Sequence, residues 1–223
     1  MEKSRDEGGQ TGRTVSDDGA TTLAALAERM RNRPVQPTPL AESTHMSAEA
    51  SGTPRAAVVL LLRETPAGLE MLLIKRAERD DDPWSGHVAL PGGREEPSDA
   101  SLQSTALRET KEETGIDLER DGEIFGALEP LHPQARPMAV VVQPFVAALR
   151  KESPIVTSDE VAEAFWVPVT TFTGPETATE SDVRVNETEI RVPSFRHGQY
   201  VIWGLTERII RQLLVLLAPA TLP

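Results

Sequence analysis

Glu109, Glu112 and Glu113 stand at i, i+3 and i+4 in a stretch that holds neither Gly nor Pro from Asp99 to Thr114. If that stretch is a helix, the three carboxylates share one face, with Cβ atoms roughly 5–6 Å apart. Three like charges so close destabilise an isolated helix unless something neutralises them. A hard divalent cation does so, because Mg²⁺ and Mn²⁺ take carboxylate oxygens as ligands. Arg108 comes one residue earlier and points about 100° away, towards Asp99 or a neighbouring glutamate. Gly92 and Gly93 follow a short apolar run. Glycines there let the backbone turn sharply and bring N–H groups close to an anion.

A Glu-rich helix surface is more often a solvated face, and a Pro-Gly-Gly is more often a plain turn. The combination is harder to dismiss. R-E-x-x-E-E-x-G arises by chance in a chain of this length on the order of once in 10⁴.

The segment resembles the Nudix box, G-x5-E-x7-R-E-U-x-E-E-x-G-U, where U is a bulky aliphatic residue. Gly93, Arg108-Glu109, Glu112-Glu113, Gly115 and Ile116 match it. Asp99 replaces the first Glu, one extra residue separates it from Arg108, and Thr110 stands at an aliphatic position. The first two departures are similar to the coenzyme A pyrophosphatase branch of the family. Leu72 to Ala77, Gly86 and Leu90 to Gly93 are similar to that branch's upstream signature, L-L-T-x-R-S/A-x3-R-x3-G-x3-F-P-G-G. One residue is inserted there. Asp82 occupies the place of the second Arg, and Leu90 that of the Phe. Residues 142–146 and 159–168 are also similar to the branch.

The resemblance implies a metal-dependent hydrolase that cuts the pyrophosphate bridge of a nucleoside diphosphate linked to another group. Coenzyme A or its acyl derivatives are the first expectation. ADP-ribose or a dinucleotide is the alternative, and a Nudix-fold binding module without turnover is the third reading. Glu109, Glu112 and Glu113 are expected to ligate Mg²⁺ or Mn²⁺. Glu112 or Glu160 is expected to take the proton of the attacking water, and Arg108 to position the loop or the acids. Arg76 and Arg79, with Gly92 and Gly93, are expected to meet the substrate phosphates. For the two arginines, pairing with Glu78 or Asp80 to Asp82 is the competing reading. Trp84 is set between stacking on a base and packing its loop. His87 and His132 carry little information by themselves.

Several elements must position these groups. Residues 56–62, AAVVLLL, read as a buried strand that turns through ETPAG into a partner at 70–76. His87 to Leu90 reads as a short strand stopped by Pro91-Gly92-Gly93. The helix from Asp99 is expected to be capped by Ser98 or Asp99 and stopped at Gly115. Further strands are expected at 123–128, 139–149, 164–167 and 191–195, and a last helix at 204–217. Strands and helices mix without regular alternation, so a mixed sheet with helices packed on its faces is expected; the resemblance implies an α/β fold, the Nudix-type α/β/α sandwich with a mixed central sheet.

Upstream, residues 1–20 read as a disordered tail. Thr22 to Arg33 reads as a short helix with Leu23, Leu26, Ala27 and Met30 on one face. Residues 34–54 read as a Pro-rich linker, which leaves 55–217 as the Nudix domain. The formal net charge of -12 argues against a nucleic-acid partner, which needs a basic stripe. The absence of cysteine excludes thiolate chemistry. The longest apolar stretch, 213–220, falls well short of the roughly 20 residues a bilayer needs. The amino terminus lacks the apolar core of a secretory signal, so a cytoplasmic protein is expected. A homodimer is left open.

Overall fold

A computed structural model describes residues 22–33, 53–79, 85–132, 140–174, 178–185 and 188–218. The tail expected over 1–20, nearly all of the linker, and Asp82 and Trp84 lie outside the described residues. The architecture begins with β1 (Arg55–Thr65) and β2 (Gly68–Arg76), an antiparallel hairpin closed by Thr65 opposite Gly68. Gly68 takes a φ of 117°, which the tight turn requires of a glycine. Along β1 the side chains alternate between two apolar cores. Leu60 and Leu62 enter one, while Ala57, Val59 and Leu61 enter the other. That explains the unbroken apolar run, because a strand buried on both faces needs no polar alternation.

β1 runs parallel to β6 (Val141–Leu149), a strand with every residue buried, and β6 pairs antiparallel with β5 (Gly122–Ala127). β7 (Val161–Pro168) lies antiparallel on the far edge of β2. The sheet is therefore mixed. One face is covered by α1 (Leu23–Asn32), packed beside the carboxy-terminal α4 (Gly204–Leu217). The other is covered by α2 (Leu102–Thr114) and the short α3 (Leu118–Asp121). This is the expected α/β/α sandwich.

β1 and β2 pair only near their turn and splay apart beyond it. Two short strands fill the wedge. β3 (Val88–Ala89) pairs with Ile74 and Lys75 of β2, and β4 (Gly92–Arg94) pairs with Ala56 to Val58 of β1. Val59 N–H donates to the Pro91 carbonyl at 2.8 Å and Arg76 N–H to the His87 carbonyl at 3.0 Å. The sequence reading made the two glycines a stop; they are instead a strand. Gly92 sits at φ 149°, and a Cβ there would run into the Ala57 carbonyl and the Val58 backbone. Only glycine allows this approach to β1.

A second, three-stranded antiparallel sheet is built from β8 (Ala178–Val185), β9 (Thr188–His197) and β10 (Tyr200–Trp203), with β9 central. The sequence reading found only part of β9. β8 is mostly polar and half exposed, so it carries no strong apolar signal. β10 leads straight into α4 through Gly204.

α1 matches its expected face, with Leu23, Leu26, Ala27 and Met30 buried and Thr22 capping its start. It was expected to stand apart from the body beginning at residue 55. Its buried face instead joins the first core, and Arg29 donates to the carbonyls of Leu216 and Ala218 at 2.7 and 3.1 Å. Those carbonyls end α4, where a cation is favourable. Among the described residues no helix is long and apolar enough to cross a membrane.

Candidate active site

The site hangs on α2. Its buried residues, Leu102, Thr105, Ala106, Thr110, Glu113 and Thr114, recur at helical spacing and face the sheet. Thr110, at a position where the box prefers an aliphatic residue, is fully buried. Its hydroxyl donates to the Ala106 carbonyl at 2.7 Å, so the methyl packs without leaving a polar atom unpaired. Gly115 stops the helix at φ 73°, as expected. The start differs: the cap is Ser101, whose hydroxyl accepts from Ser104 N–H at 3.1 Å.

Asp99, released from capping, becomes the partner of Arg108. Arg108 Nε and Nη2 donate to Asp99 Oδ1 and Oδ2, each at 3.0 Å, a bidentate pair. Asp99 also accepts from Thr105 Oγ1 and Glu96 N–H, both at 2.9 Å. Hydrogen bonding to Arg108 holds its carboxyl down at about 2, against the opposing effect of burial. Arg108 reaches further, to the Arg94 carbonyl and to the carboxylates of Glu109 and Glu112, each at 3.0 Å. One guanidinium thus joins the loop after β4 to two of the three glutamates.

The three glutamates are not equivalent. Glu113 is buried at 3% exposure and accepts from Gly92 N–H at 2.8 Å. Burial pushes its carboxyl up to about 7, despite the opposing Gly92 hydrogen bond. Burial also raises Glu109, against the pull of Arg108. Glu112 is the exposed member, turned to Arg108. Among the described residues no three acidic or histidine side chains are gathered into one ion-sized cluster. Repulsion from Glu109 and attraction to Arg108 account for the placement of Glu112.

Glu109 and Glu113 open on a cavity of about 410 Å³, with Glu160, Arg76, Arg94, Gly92 and Gly93 on the same walls. That volume is ordinary for a small-molecule site. Glu160, named from sequence as a distant acid, is brought here from the loop before β7. Arg76 lies 3.8 Å from Glu113. Arg79 is not part of the wall; it pairs with Glu160 at 3.2 Å and donates to the Asp159 carbonyl. Pairing was the competing reading for Arg79, and its partner here is Glu160; Asp80 to Asp82 lie outside the described residues. His87 lines the cavity edge-on to Trp203, with centroids 4.9 Å apart, and His132 lies elsewhere. Sequence reasoning missed Arg94 and Trp203. Arg94 directly follows the glycine pair and was readable there. Trp203 is remote in the chain and carries no local signal.

Gly93 faces Glu109 so closely that an added Cβ would stand 2.6 Å from Oε2. The obstacle is the end of a flexible side chain, so Gly93→Ala is expected to fold and to melt within a few degrees of the parent. Displacing the Glu109 carboxylate by about 1 Å should lower kcat/KM by roughly 10²-fold. Unchanged turnover would show that Glu109 need not lie against the loop. At Gly92 the obstacle is backbone, and Gly92→Ala should fail to fold.

The donor set suits a hard divalent cation. Glu109 and Glu113 offer carboxylate oxygens to the cavity, and burial raises the cost of their anionic forms. A cation between them relieves that cost, and the described lining holds no sulfur donor.

The family described as NUDIX domain matches residues 52–187. The chain is 32% identical over 177 residues to the human mitochondrial coenzyme A diphosphatase NUDT8, covering 78% of this chain and 75% of that protein. It is 30% identical over 192 residues to the uncharacterised Nudix hydrolase NudL of Pectobacterium atrosepticum, covering 86% of this chain and 94% of that protein. Among solved structures, the NUDIX domain of Shewanella oneidensis NrtR, complexed with ADP ribose, superposes with a TM-score of 0.51 at 17% identity. It covers 74% of this chain and 89% of that one; at that identity the likeness concerns the fold.

Proposed function

The chain belongs to the Nudix family and is a pyrophosphohydrolase, and from that premise we propose that it hydrolyses coenzyme A or its acyl derivatives at the pyrophosphate bridge. The observation that carries the hydrolytic reading is the shared cavity of Glu109, Glu113 and Glu160 with Arg76 and Arg94. Coenzyme A is favoured by the likeness to the human diphosphatase.

Nudix hydrolases generally use divalent metal ions, and here Glu109 and Glu113 on the cavity wall would hold Mg²⁺ or Mn²⁺, with Glu112, turned to Arg108, the third acid of the expected set. A bound divalent cation supplies neutralising charge to the phosphate oxygens and lowers the pKa of water. The residues of the chain do the rest. Gly92 and Gly93 hold the loop close to β1 and to the Glu109 and Glu113 carboxylates, on the wall that would face the phosphates. Arg76 and Arg94 orient the phosphate oxygens, and Arg79 holds the Glu160 carboxylate. Glu160 takes the proton of the attacking water; its place on the cavity wall supports it over Glu112. Arg108 is a positioning residue, acting through Asp99, Glu109 and Glu112.

Purified protein should be given coenzyme A, acetyl-coenzyme A, ADP-ribose and a diadenosine polyphosphate at pH 8–9, with Mg²⁺ or Mn²⁺. The expected products from coenzyme A are adenosine 3′,5′-bisphosphate and phosphopantetheine. Intact coenzyme A beside cleaved ADP-ribose or dinucleotide would transfer the assignment to that nucleotide. Leu90, on the cavity wall where the coenzyme A branch carries an aromatic residue, is the feature that favours that second reading.

A further inference from the structure

The cavity wall has two unlike parts. Beside the carboxylates lies a small apolar cluster, which shares Val58 and Leu205 with the first core. Ala56, Val140 and Val142 are buried there, with Val58 and Leu205 packed against them, and all five line the cavity. Trp203 stands beside Leu205 at the β10–α4 junction. The register ties the two parts together. Ala56 lies opposite Arg94 on one side and Val142 on the other, so the aliphatic wall begins one strand from the glycine loop. Two strand spacings, about 10 Å, separate β4 from β6.

We propose that Leu205 and Trp203, with Val140 and Val142, are specificity-determining residues that receive the non-nucleotide arm of the substrate and select arms rich in methylene and methyl groups. This rests on the reading of the carboxylate part as the pyrophosphate site. A substrate held there at its bridge must send one of its two arms along this wall. The polar side chain next to Leu205, Thr206, donates its hydroxyl to the Val88 carbonyl at 3.3 Å. The aliphatic side chains offer no partner to the hydroxyls of a second ribose or to the edge of a base. Each buried hydroxyl left unpaired weakens binding by roughly five- to a hundredfold. Each methylene that reaches the wall strengthens it by roughly threefold. The wall therefore favours an arm that lays methylene and methyl groups along these side chains over one that presents only hydroxyls and base edges to them.

The test uses β-phosphate alkyl esters of ADP with methyl, butyl and hexyl groups, on the full chain. Both kcat/KM and the dissociation constant are measured, the latter by calorimetry with Ca²⁺ in place of Mg²⁺ to slow turnover. The hexyl ester should exceed the methyl ester at least tenfold in affinity. In Leu205→Asn that ratio should fall to a third or less, and in Trp203→Ala it should also shrink. An affinity independent of chain length in the parent protein overturns the proposal, whatever the variants do. So does a ratio that survives both substitutions. If every ester binds with the expected dependence but none is cleaved, and coenzyme A is also left intact, the wall stands and the hydrolytic reading falls.

Discussion

Glu113→Gln is expected to lower kcat/KM by about 10³-fold or more while the circular dichroism spectrum stays that of the parent. Glutamine has nearly the same volume, and its carbonyl can still accept from Gly92 N–H. What disappears is one buried negative charge beside the diphosphate. Loss of the charge stabilisation expected of a cation held there, several kcal/mol, corresponds to that rate change. Titration calorimetry with Mn²⁺ should show weakened ion uptake in the same variant. The stability change has a definite sign. Burial raises the Glu113 carboxyl from 4.5 to about 7, so its ionisation costs folded-state stability as pH rises between those values. The glutamine variant escapes that cost and should melt no lower than the parent, and somewhat higher above pH 7. Undiminished hydrolysis would remove Glu113 from the site chemistry. A collapse of the fold would mean that the carboxylate is needed structurally.

Arg108→Ala should lose both stability and activity. It removes the bidentate partner of Asp99, whose carboxylate is only 6% exposed. Leaving a buried charge unpaired costs on the order of 3 kcal/mol, which for a chain of this size lowers the melting temperature by roughly 6–12 °C. The loop after β4 and the carboxylates of Glu109 and Glu112 lose their common anchor at the same time. Arg108→Lys keeps the charge without the fork and should recover part of the stability but little of kcat. Acid titration of the parent gives an independent readout. The folded-state pKa of Asp99 lies below its unfolded value. The stabilisation from this pair is therefore fully present above about pH 4 and is lost as pH falls through about 2. In Arg108→Ala that part of the acid transition should vanish. An unchanged melting temperature and acid profile would show the pair to be idle.

The parts of the fold that could be read from the sequence are those with strong local signals. The β1–β2 hairpin, α2 and its Gly115 stop, and the apolar face of α1 follow from periodicity and turn chemistry over short stretches. β4 was missed because its glycines look like a stop, and only the splaying of β1 from β2 makes them a strand. The cap of α2 went to Ser101 because Asp99 has a stronger competing partner nine residues on, which local preference does not weigh. The site divided along the same line. Glu109, Glu113 and Arg108 were named from spacing within a single helix, and the packing of β7 against β2 brings Glu160 to them. The aliphatic wall escaped notice because Ala56, Val142 and Leu205 are far apart in the chain and each looks like ordinary core.

The contact between Arg29 and the carbonyls at the end of α4 spans nearly the whole chain. During synthesis the first helix leaves the ribosome long before the last, and its apolar side stays partly uncovered meanwhile. At the usual 5–20 residues per second that interval is roughly 10–40 s. Leu26 and Met30 can meet β1 and β5 before then, whereas the Arg29 contact must wait for the last helix to emerge.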